Sequence, residues 1–337
     1  MTPGPSRPAH SLPVYSSAML PAVNGANMGD GLSFADELVL EDSYALAYGA
    51  ELGRLSLHAG DDGRFVIADD TALGAPGATV VLDSCLTLMT RDSQVSELLV
   101  LVEVDAEGNA AEIYGLPLAP LHPKTDYLLV GIERDTALSR FAQVACVSFT
   151  RGKHIALATG EQRPIQDLRV GDRVLTRDDG PQEIRWIGQH TVRAVGEFAP
   201  IVITAGTLHN VRELIVSPDH RLFIYQRSDR IGAGRSEVLV KARHLVNGDS
   251  VRVQDGGFVD YFQLLFDRHQ IIFAEGIAAE TLLIDPRTRS ALPRDLAEKM
   301  AASLPRHGDA AHLDFEIGRK LLDRPDAAEL LRRATTR

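Results

Sequence analysis

A seven-residue pattern, Leu-x-x-Gly-Asp-x-Val, occurs twice in this 337-residue chain and constrains its fold more than any other feature. The copies are LRVGDRV at 168–174 and LVNGDSV at 245–251. In each copy a Gly-Asp pair precedes a β-branched residue, as in a tight turn that leads into a strand. The surrounding residues 146–285 have the short apolar runs and turn signals of further strands. The repeat therefore predicts an all-β domain with two similar halves related by a pseudo-twofold axis.

The charge distribution marks a domain boundary close to residue 146. Residues 1–145 contain 7 Lys+Arg against 20 Asp+Glu, whereas residues 146–337 contain 28 against 26. A shift of this size is typical of a boundary between domains. The acidic first half argues against a nucleic-acid partner, because binding nucleic acid needs a basic face for the phosphates. No apolar run approaches the roughly 18 residues of a membrane span, so no membrane partner is expected either.

The cysteine content is low, with only Cys85 and Cys146 in the sequence. Two cysteines cannot form a disulfide framework, and neither has a neighbour at zinc-ligand spacing, so we predict no metal and no cofactor. The simplest interpretation of each is a small buried hydrophobe. The low cysteine content slightly favours location in a reducing cytosol. Secretion without a classical signal peptide is the alternative.

The chain divides into four predicted segments. Residues 1–35 are rich in Pro, Ser, Gly and Asn without periodicity, which predicts a disordered leader. Residues 36–145 have short apolar runs separated by Gly, Asp and Pro, which predicts a small acidic β-domain, either a sandwich or a barrel. Residues 146–285 form the β-domain with the repeat. Residues 286–337 have Leu and Ala at three- and four-residue spacings, which predicts a short helical tail that packs or interacts.

Reactive and ionisable side chains concentrate in four stretches of the repeat-containing domain. Taken singly, each is explained by ordinary structure, for example His220 by a turn and Asp267 by a solvated bulge. The stretches are VACVSFTRGKHIAL with Cys146 and Ser148, IVSPDHRLFI with Ser217 and His220, KARHLVNGDSV with Lys241 and His244, and LLFDRHQIIFAEG with Asp267 and His269.

Taken together, the stretches resemble the Hedgehog/intein (Hint) family, and within it the bacterial Hint-domain proteins. The resemblance covers about residues 146–285. It rests on a nucleophile at the domain's first strand, then GEQRPIQDLRVGDRVLTRDDG, then Ser-x-x-His before an apolar strand. It implies an all-β horseshoe with a pseudo-twofold axis, preceded here by the small β-domain and followed by the helical tail. It also implies that the first residue of the domain attacks the carbonyl just before it and converts its own amide into an ester or thioester.

The family pattern favours one of the two nucleophiles. A nucleophile followed by Phe-x-x-Gly-x-x-Ile fits SFTRGKHI without a gap, which gives the role to Ser148. Cys146 lies two residues earlier and stays the alternative if the first strand carries an insertion. Serine needs a base more than a thiol does, because its hydroxyl is almost wholly protonated at neutral pH.

The resemblance also assigns the supporting residues. His220 is implied as the acid for the leaving nitrogen, with Ser217 at the usual Thr position of the Thr-x-x-His motif. Asp267 and His269 match the block near the end of the domain that assists the later steps. We therefore expect Ser148, His220 and the Asp267–His269 pair to meet in one cleft.

Two departures from the family pattern limit the reaction. Splicing members end in His-Asn followed by Cys, Ser or Thr, whereas this chain has Ala279, Glu280 and Thr281. Without the Asn that cyclises, the chain is predicted not to splice, and the tail to stay attached. The Asp that Hedgehog-type domains place after the first hairpin has no clear counterpart in RWIGQHTVRA.

The sequence thus predicts self-cleavage at the 147–148 bond, with the protein's own N-terminal domain as substrate and water or an external nucleophile as acceptor. The alternative is a catalytically inactive Hint fold that acts as a binding or structural module. A hydrolase acting in trans through Ser148 and His220 is the third candidate, but the sequence has no nucleophile-elbow motif.

Overall fold

The computed structural model describes residues 10–59, 64–145, 147–229 and 231–284, the single residues 288 and 307, and residues 315–317, 319–322 and 326–335. The chain divides into two compact units, and the second unit begins at Ala145. Neither unit has, in its described residues, a helix long and apolar enough to cross a membrane.

The first unit is an antiparallel barrel. Six of its strands pair in the order β6–β5–β4–β1–β8–β7, and β7 pairs with β6 to close the ring. Strands β9, β3 and β2 extend the sheet outward from β6. The elements are β1 His10–Ser16, β2 Ala22–Asn24, β3 Ser43–Tyr44, β4 Gly53–Ala59, β5 Phe65–Ile67, β6 Thr79–Met89, β7 Val95–Val104, β8 Ala110–Pro117, β9 Tyr127–Glu133 and α1 Ala137–Ala145.

The prediction of a disordered leader over residues 1–35 is wrong from His10 onward. Strand β1 lies between β4 and β8, so the barrel cannot close without it. Leu12 and Val14 alternate into the core, with 2% and 0% of their surfaces exposed. Pro13 concealed this alternation in the sequence. It is tolerated because the stretch around it pairs only with β4, so its missing N–H breaks no ladder toward β8.

We expect Leu12→Ala to lower the free energy of unfolding of the first unit by about 2–5 kcal/mol, because the barrel closes around this side chain. Met28→Ala is the matched control: Met28 is 70% exposed, and its loss changes stability by less than about 0.5 kcal/mol. Amide hydrogen exchange of β4 and β8 in the full chain measures both values. Equal protection in the two variants would contradict the assignment of β1 to the barrel.

The structure describes one of the two cysteines, Cys85. Cys85 lies in β6 with 3% of its surface exposed and is a free thiol. Burial raises its pKa to about 12, so it is an inert small hydrophobe, as the sequence suggested. Cys146 lies outside the described residues.

The strands described in the second unit form two six-stranded sheets and a hairpin. One sheet has the order β15–β21–β10–β17–β16–β20, the other β12–β11–β22–β23–β18–β19, and β13 pairs with β14. The strands are β10 Phe149–Thr150, β11 His154–Ala156, β12 Gln162–Pro164, β13 Arg173–Leu175, β14 Pro181–Glu183, β15 Trp186–Arg193, β16 Ile201–Ile203, β17 Leu214–Val216, β18 Arg221–Tyr225, β19 Glu237–Lys241, β20 Val251–Val253, β21 Phe258–Leu265, β22 Ile271–Ala274 and β23 Ile277–Glu280.

The two copies of the repeat adopt the same local structure. Each begins at the end of a short 3-10 turn, has its glycine at positive φ, and enters a strand, β13 in the first copy and β20 in the second. The φ angles are 95° at Gly171 and 79° at Gly248, a region that favours glycine. Val174 and Val251 are fully buried. The predicted fold class, all-β with two similar halves, is confirmed.

The described parts of the tail belong to the core of the second unit. Helix α2 spans Arg319–Leu322 and helix α3 spans Ala327–Thr335. Glu316 forms a parallel bridge with Leu239 on the edge strand β19. Five tail side chains join the same buried cluster as the sheets, namely Ile317, Leu322, Ala327, Ala328 and Leu331. The tail is therefore helical, as predicted, and it helps to build the domain.

Candidate functional site

Ser148 is positioned by a short strand, β10, which pairs with a neighbouring strand on each side. It directly precedes β10, whose residue Phe149 pairs with Val216 of β17 and with Phe262 of β21. Because both pairings are antiparallel, the next residue on each neighbouring strand faces Ser148. These residues are Ser217 on one side and Gln263 on the other. Ser148 itself is only 1% exposed.

The peptide groups around Ser148 are fixed by Ser217. The Ser148 amide, which belongs to the 147–148 bond, donates to Ser217 Oγ at 2.9 Å. In return the Ser217 amide donates to the Ser148 carbonyl oxygen at 2.9 Å. The Ser-x-x-His motif thus holds the peptide that the sequence predicts to react.

His220 reaches the same peptide through a tight turn. Its amide donates to the Ser217 carbonyl at 3.0 Å, which closes the Ser-Pro-Asp-His turn. Its Nδ1 lies 3.1 Å from the Ser148 carbonyl oxygen, and its ring packs edge-on against Phe149 with the centroids 4.4 Å apart. The side chain is fully buried, and within the described residues Nε2 makes no hydrogen bond. Burial lowers the pKa of His220, and the carboxylate of Glu280 opposes this effect.

Gln263 contacts the hydroxyl of Ser148, and the sequence analysis missed it. Its Nε2 donates to Ser148 Oγ at 3.3 Å from a side chain that is 3% exposed. The signal was available, because Gln263 is the one amide side chain in the apolar and aromatic run YFQLLF. A polar residue inside a buried strand needs a partner, and here the partner is the candidate nucleophile.

The prediction that Asp267 shares this cleft is wrong. Its side chain is 58% exposed and forms a two-pronged ion pair with Arg185, at 3.0 Å and 2.8 Å. Asp267 follows the end of β21, where the chain leaves the sheet for a turn, so its carboxylate points to solvent.

His269 is buried beside a second carboxylate. Its side chain is 0% exposed, and its Nε2 lies 3.4 Å from Glu280 Oε2. Glu280 in turn accepts from the backbone amide of Arg221, the residue after His220, at 3.1 Å. His269 is therefore linked through Glu280 to Arg221, the residue that follows His220. The catalytic roles of Ser148, Ser217, His220 and His269 stay predictions.

Glu280 is ionised although it is fully buried. Burial opposes its charge, but Arg221, whose Nη1 lies 3.1 Å from Oε1, outweighs burial together with His269. The pKa of Glu280 is therefore lowered to about 2. Sequence analysis examined this residue only as a substitute for the missing Asn and did not identify its pairing with Arg221. No group of three His, Cys, Asp or Glu in the described part of the chain is arranged to hold a metal ion.

Together, the paired sheets, the repeated turn and the Ser148–Ser217–His220 arrangement define an all-β domain of the Hedgehog/intein class. Residues 147–286 match the sequence profile of the Hint domain family. This segment of the chain is therefore a Hint domain, as the resemblance predicted.

The chain is also similar, over part of its length, to solved inteins. The gp41-1 intein is 14% identical, and the match covers 40% of this chain and 97% of that one, with a TM-score of 0.26. The Ssp DnaB mini-intein variant M86 is 10% identical, with coverages of 41% and 97% and a TM-score of 0.28. No curated protein sequence matches the chain. The assignment rests on the family profile and on the residues described above.

Proposed function

We propose that the Hint domain cleaves its own chain at the 147–148 bond by an acyl shift from nitrogen to oxygen. The observation that carries this proposal is the register that brings Ser217, His220 and Gln263 around the Ser148 peptide. Ser148 Oγ attacks the carbonyl carbon of Val147 and releases its proton to water, and the C–N bond breaks as the nitrogen takes up a proton. The product is an ester between the Val147 acyl group and Ser148 Oγ, with a free amine on Ser148.

Two side chains support the leaving nitrogen. Ser217 Oγ already accepts from the Ser148 amide at 2.9 Å. His220 Nδ1 lies 3.1 Å from the carbonyl oxygen of Ser148. A protonated His220 supplies the proton that the nitrogen needs as the amide bond breaks. Water or an external nucleophile then attacks the ester and releases residues 1–147. The reaction stops there, because Glu280 and Thr281 cannot perform the cyclisation that splicing requires.

A non-cleaving Hint domain is the second candidate, and one observation favours it. Gln263 donates its amide to Ser148 Oγ, and an amide cannot accept the hydroxyl proton. Within the described residues no carboxylate hydrogen-bonds this hydroxyl, so the attack lacks a base. Under this candidate the domain would serve as a binding or structural module.

The intact mass of purified protein over time tests the proposal. We expect fragments 1–147 and 148–337 to accumulate, faster with hydroxylamine, which breaks an ester and leaves a hydroxamate on Val147. A single full-length mass under both conditions would select the second candidate.

Gln263→Glu is expected to raise the cleavage rate roughly 100-fold, because it puts a carboxylate base against Ser148 Oγ with little change of shape. Burial raises the pKa of a carboxyl at this position and makes it a stronger base. Gln189→Glu is the matched control: Gln189 is exposed on the neighbouring strand, opposite Phe262. Fragment yield by mass spectrometry is the measurement. Equal rates in the two variants would mean that Gln263 does not limit the attack.

A further inference from the structure

The Ser-Pro-Asp-His turn has a buried acid at its third position. Asp219 lies between Ser217 and His220, the two residues that contact the reacting peptide, and its side chain is 9% exposed. A buried carboxylate is strongly destabilising unless a cation pairs with it. Here Arg243 Nε lies 3.0 Å from Asp219 Oδ1, whereas Lys241 Nζ is more distant, at 3.8 Å. Arg243 is therefore the nearer counter-ion of the turn.

The backbone of Arg243 is also bound to the turn. Arg243 lies in the 3-10 turn Ala242–Leu245. Its amide donates to the Pro218 carbonyl at 2.9 Å, and the Ala242 amide donates to the His220 carbonyl at 2.9 Å. These bonds place the guanidinium beside the buried acid and do not depend on the side chain at 243. A substitution of that side chain therefore tests the ion pair by itself.

The same guanidinium binds a second acid. Arg243 Nη2 donates to Glu197 Oε2 at 2.7 Å, and the Glu197 side chain is largely buried. Glu197 belongs to a separate 3-10 turn, Gly196–Phe198. A planar guanidinium has donors on several edges and can bridge two carboxylates, which the compact ammonium of a lysine does less well. Arg243 thus joins the turn of Asp219 to the turn of Glu197.

The turn that contains Glu197 is held by β21, the strand on the other side of Ser148. The Tyr261 hydroxyl of β21 donates to the Phe198 carbonyl at 2.9 Å. Two residues further along β21 is Gln263, which donates to Ser148 Oγ. The two structures that flank the Ser148 peptide, namely the Ser-Pro-Asp-His turn and β21, are therefore connected through one guanidinium.

We propose that Arg243 is a positioning residue of the Ser148 site. Its guanidinium, shared between two acids, holds the Ser-Pro-Asp-His turn against the Ser148 peptide. The inference rests on the proposed self-cleavage and deepens it. Ser217 Oγ lies 2.9 Å from the amide nitrogen of Ser148, and His220 Nδ1 lies 3.1 Å from its carbonyl oxygen. A small displacement of the turn weakens both contacts, because hydrogen bonds depend steeply on geometry.

The test combines the cleavage rate with amide hydrogen exchange of the full chain. The Ser148 amide is the probe, because the Ser217 hydroxyl protects it. Arg243→Gln is expected to raise its exchange rate roughly tenfold more than the rates of the β22 amides, and to slow cleavage roughly tenfold. Arg243→Lys keeps the charge but bridges the two acids poorly, so both of its rates should fall between those of Arg243→Gln and the wild type.

Arg252→Gln is the matched control, because Arg252 and Glu213 form an exposed pair at 3.5 Å in the same unit. It should leave both rates unchanged. Glu197→Gln keeps the test decisive if Arg243→Gln does not fold. It leaves the pair with Asp219 and both backbone bonds in place, and it removes the anchor toward β21. The Ser148 exchange rate should again rise selectively, by a smaller factor.

Two results would overturn the inference. One is a Ser148 exchange rate that stays at the wild-type value in the folded variants. The other is an equal rise at Ser148 and in β22, which would reduce Arg243 to a contributor to general stability. The exchange measurement does not need cleavage. A selective rise at Ser148 in a protein that never cleaves would uphold the role of Arg243 and reject self-cleavage alone.

Discussion

Ser148→Ala is expected to abolish the proposed self-cleavage, with no fragments above background in an intact-mass time course at any hydroxylamine concentration. The hydroxyl is the only atom of residue 148 that can form the ester, and it lies on a strand held by β17 and β21. The substitution leaves Gln263 without its acceptor but disturbs neither pairing. Thr150→Val is the matched control: it removes a buried hydroxyl two residues away, which donates to the Ile215 carbonyl at 3.0 Å. It should cleave at the wild-type rate.

Cys146→Ala separates the two nucleophiles. With Ser148 as nucleophile, this variant still cleaves, and its N-terminal fragment changes mass only by the substitution. Loss of cleavage in Cys146→Ala alone, or cleavage driven by dithiothreitol, would mean that the domain begins two residues earlier. An ester reacts readily with hydroxylamine but poorly with thiols, so the two reagents give independent answers.

The Ser-x-x-His motif could be predicted from sequence because its geometry is local. Ser217 and His220 belong to one tight turn, and a turn of four residues always brings its first and last residues together. The pairing with Ser148 then follows from a single antiparallel register. Motifs of this kind depend little on the rest of the fold, so the proximity of these residues could be predicted from the sequence.

Residues brought together by long-range strand pairing could not be predicted in the same way. Asp267 matched the expected residue type near the end of the domain, yet four positions separate it from Gln263, which lies against Ser148. Only the register of β21 against β10 decides which of the two enters the site. Glu280 was missed for a related reason, since its partner Arg221 is 59 positions away.

Strand β1 was missed in the sequence for a different reason. Local composition rich in Pro, Ser and Gly favours a disordered chain, and nothing within residues 10–16 outweighs that signal. The stabilisation comes from closing a barrel, which buries Leu12 and Val14 between strands from elsewhere in the chain. Tertiary packing overrides composition here.

Deleting residues 315–337 is expected to unfold the Hint unit and to eliminate self-cleavage. The deletion removes five side chains from the domain's buried cluster and uncovers the edge of β19, where Glu316 bridges Leu239. It also removes Glu316 from Arg221, which keeps its ion pair with Glu280. The family profile ends at residue 286, so a domain cut there should lack part of its own core.

A point substitution in the tail tests the contribution of its packing to stability without shortening the chain. Leu331→Ala, at a side chain with 0% exposure, should lower the free energy of unfolding by about 2–5 kcal/mol. Leu321→Ala, in the same tail but 37% exposed, should cost far less. Fluorescence of Trp186, on β15 of the same unit, reports the urea transition of both variants. A truncated chain with the wild-type transition and the wild-type cleavage rate would reduce the tail to an appendage. A destabilised truncated chain, which is the expected result, would make the tail part of the domain. Every cleavage product that contains Ser148 should then also retain the tail.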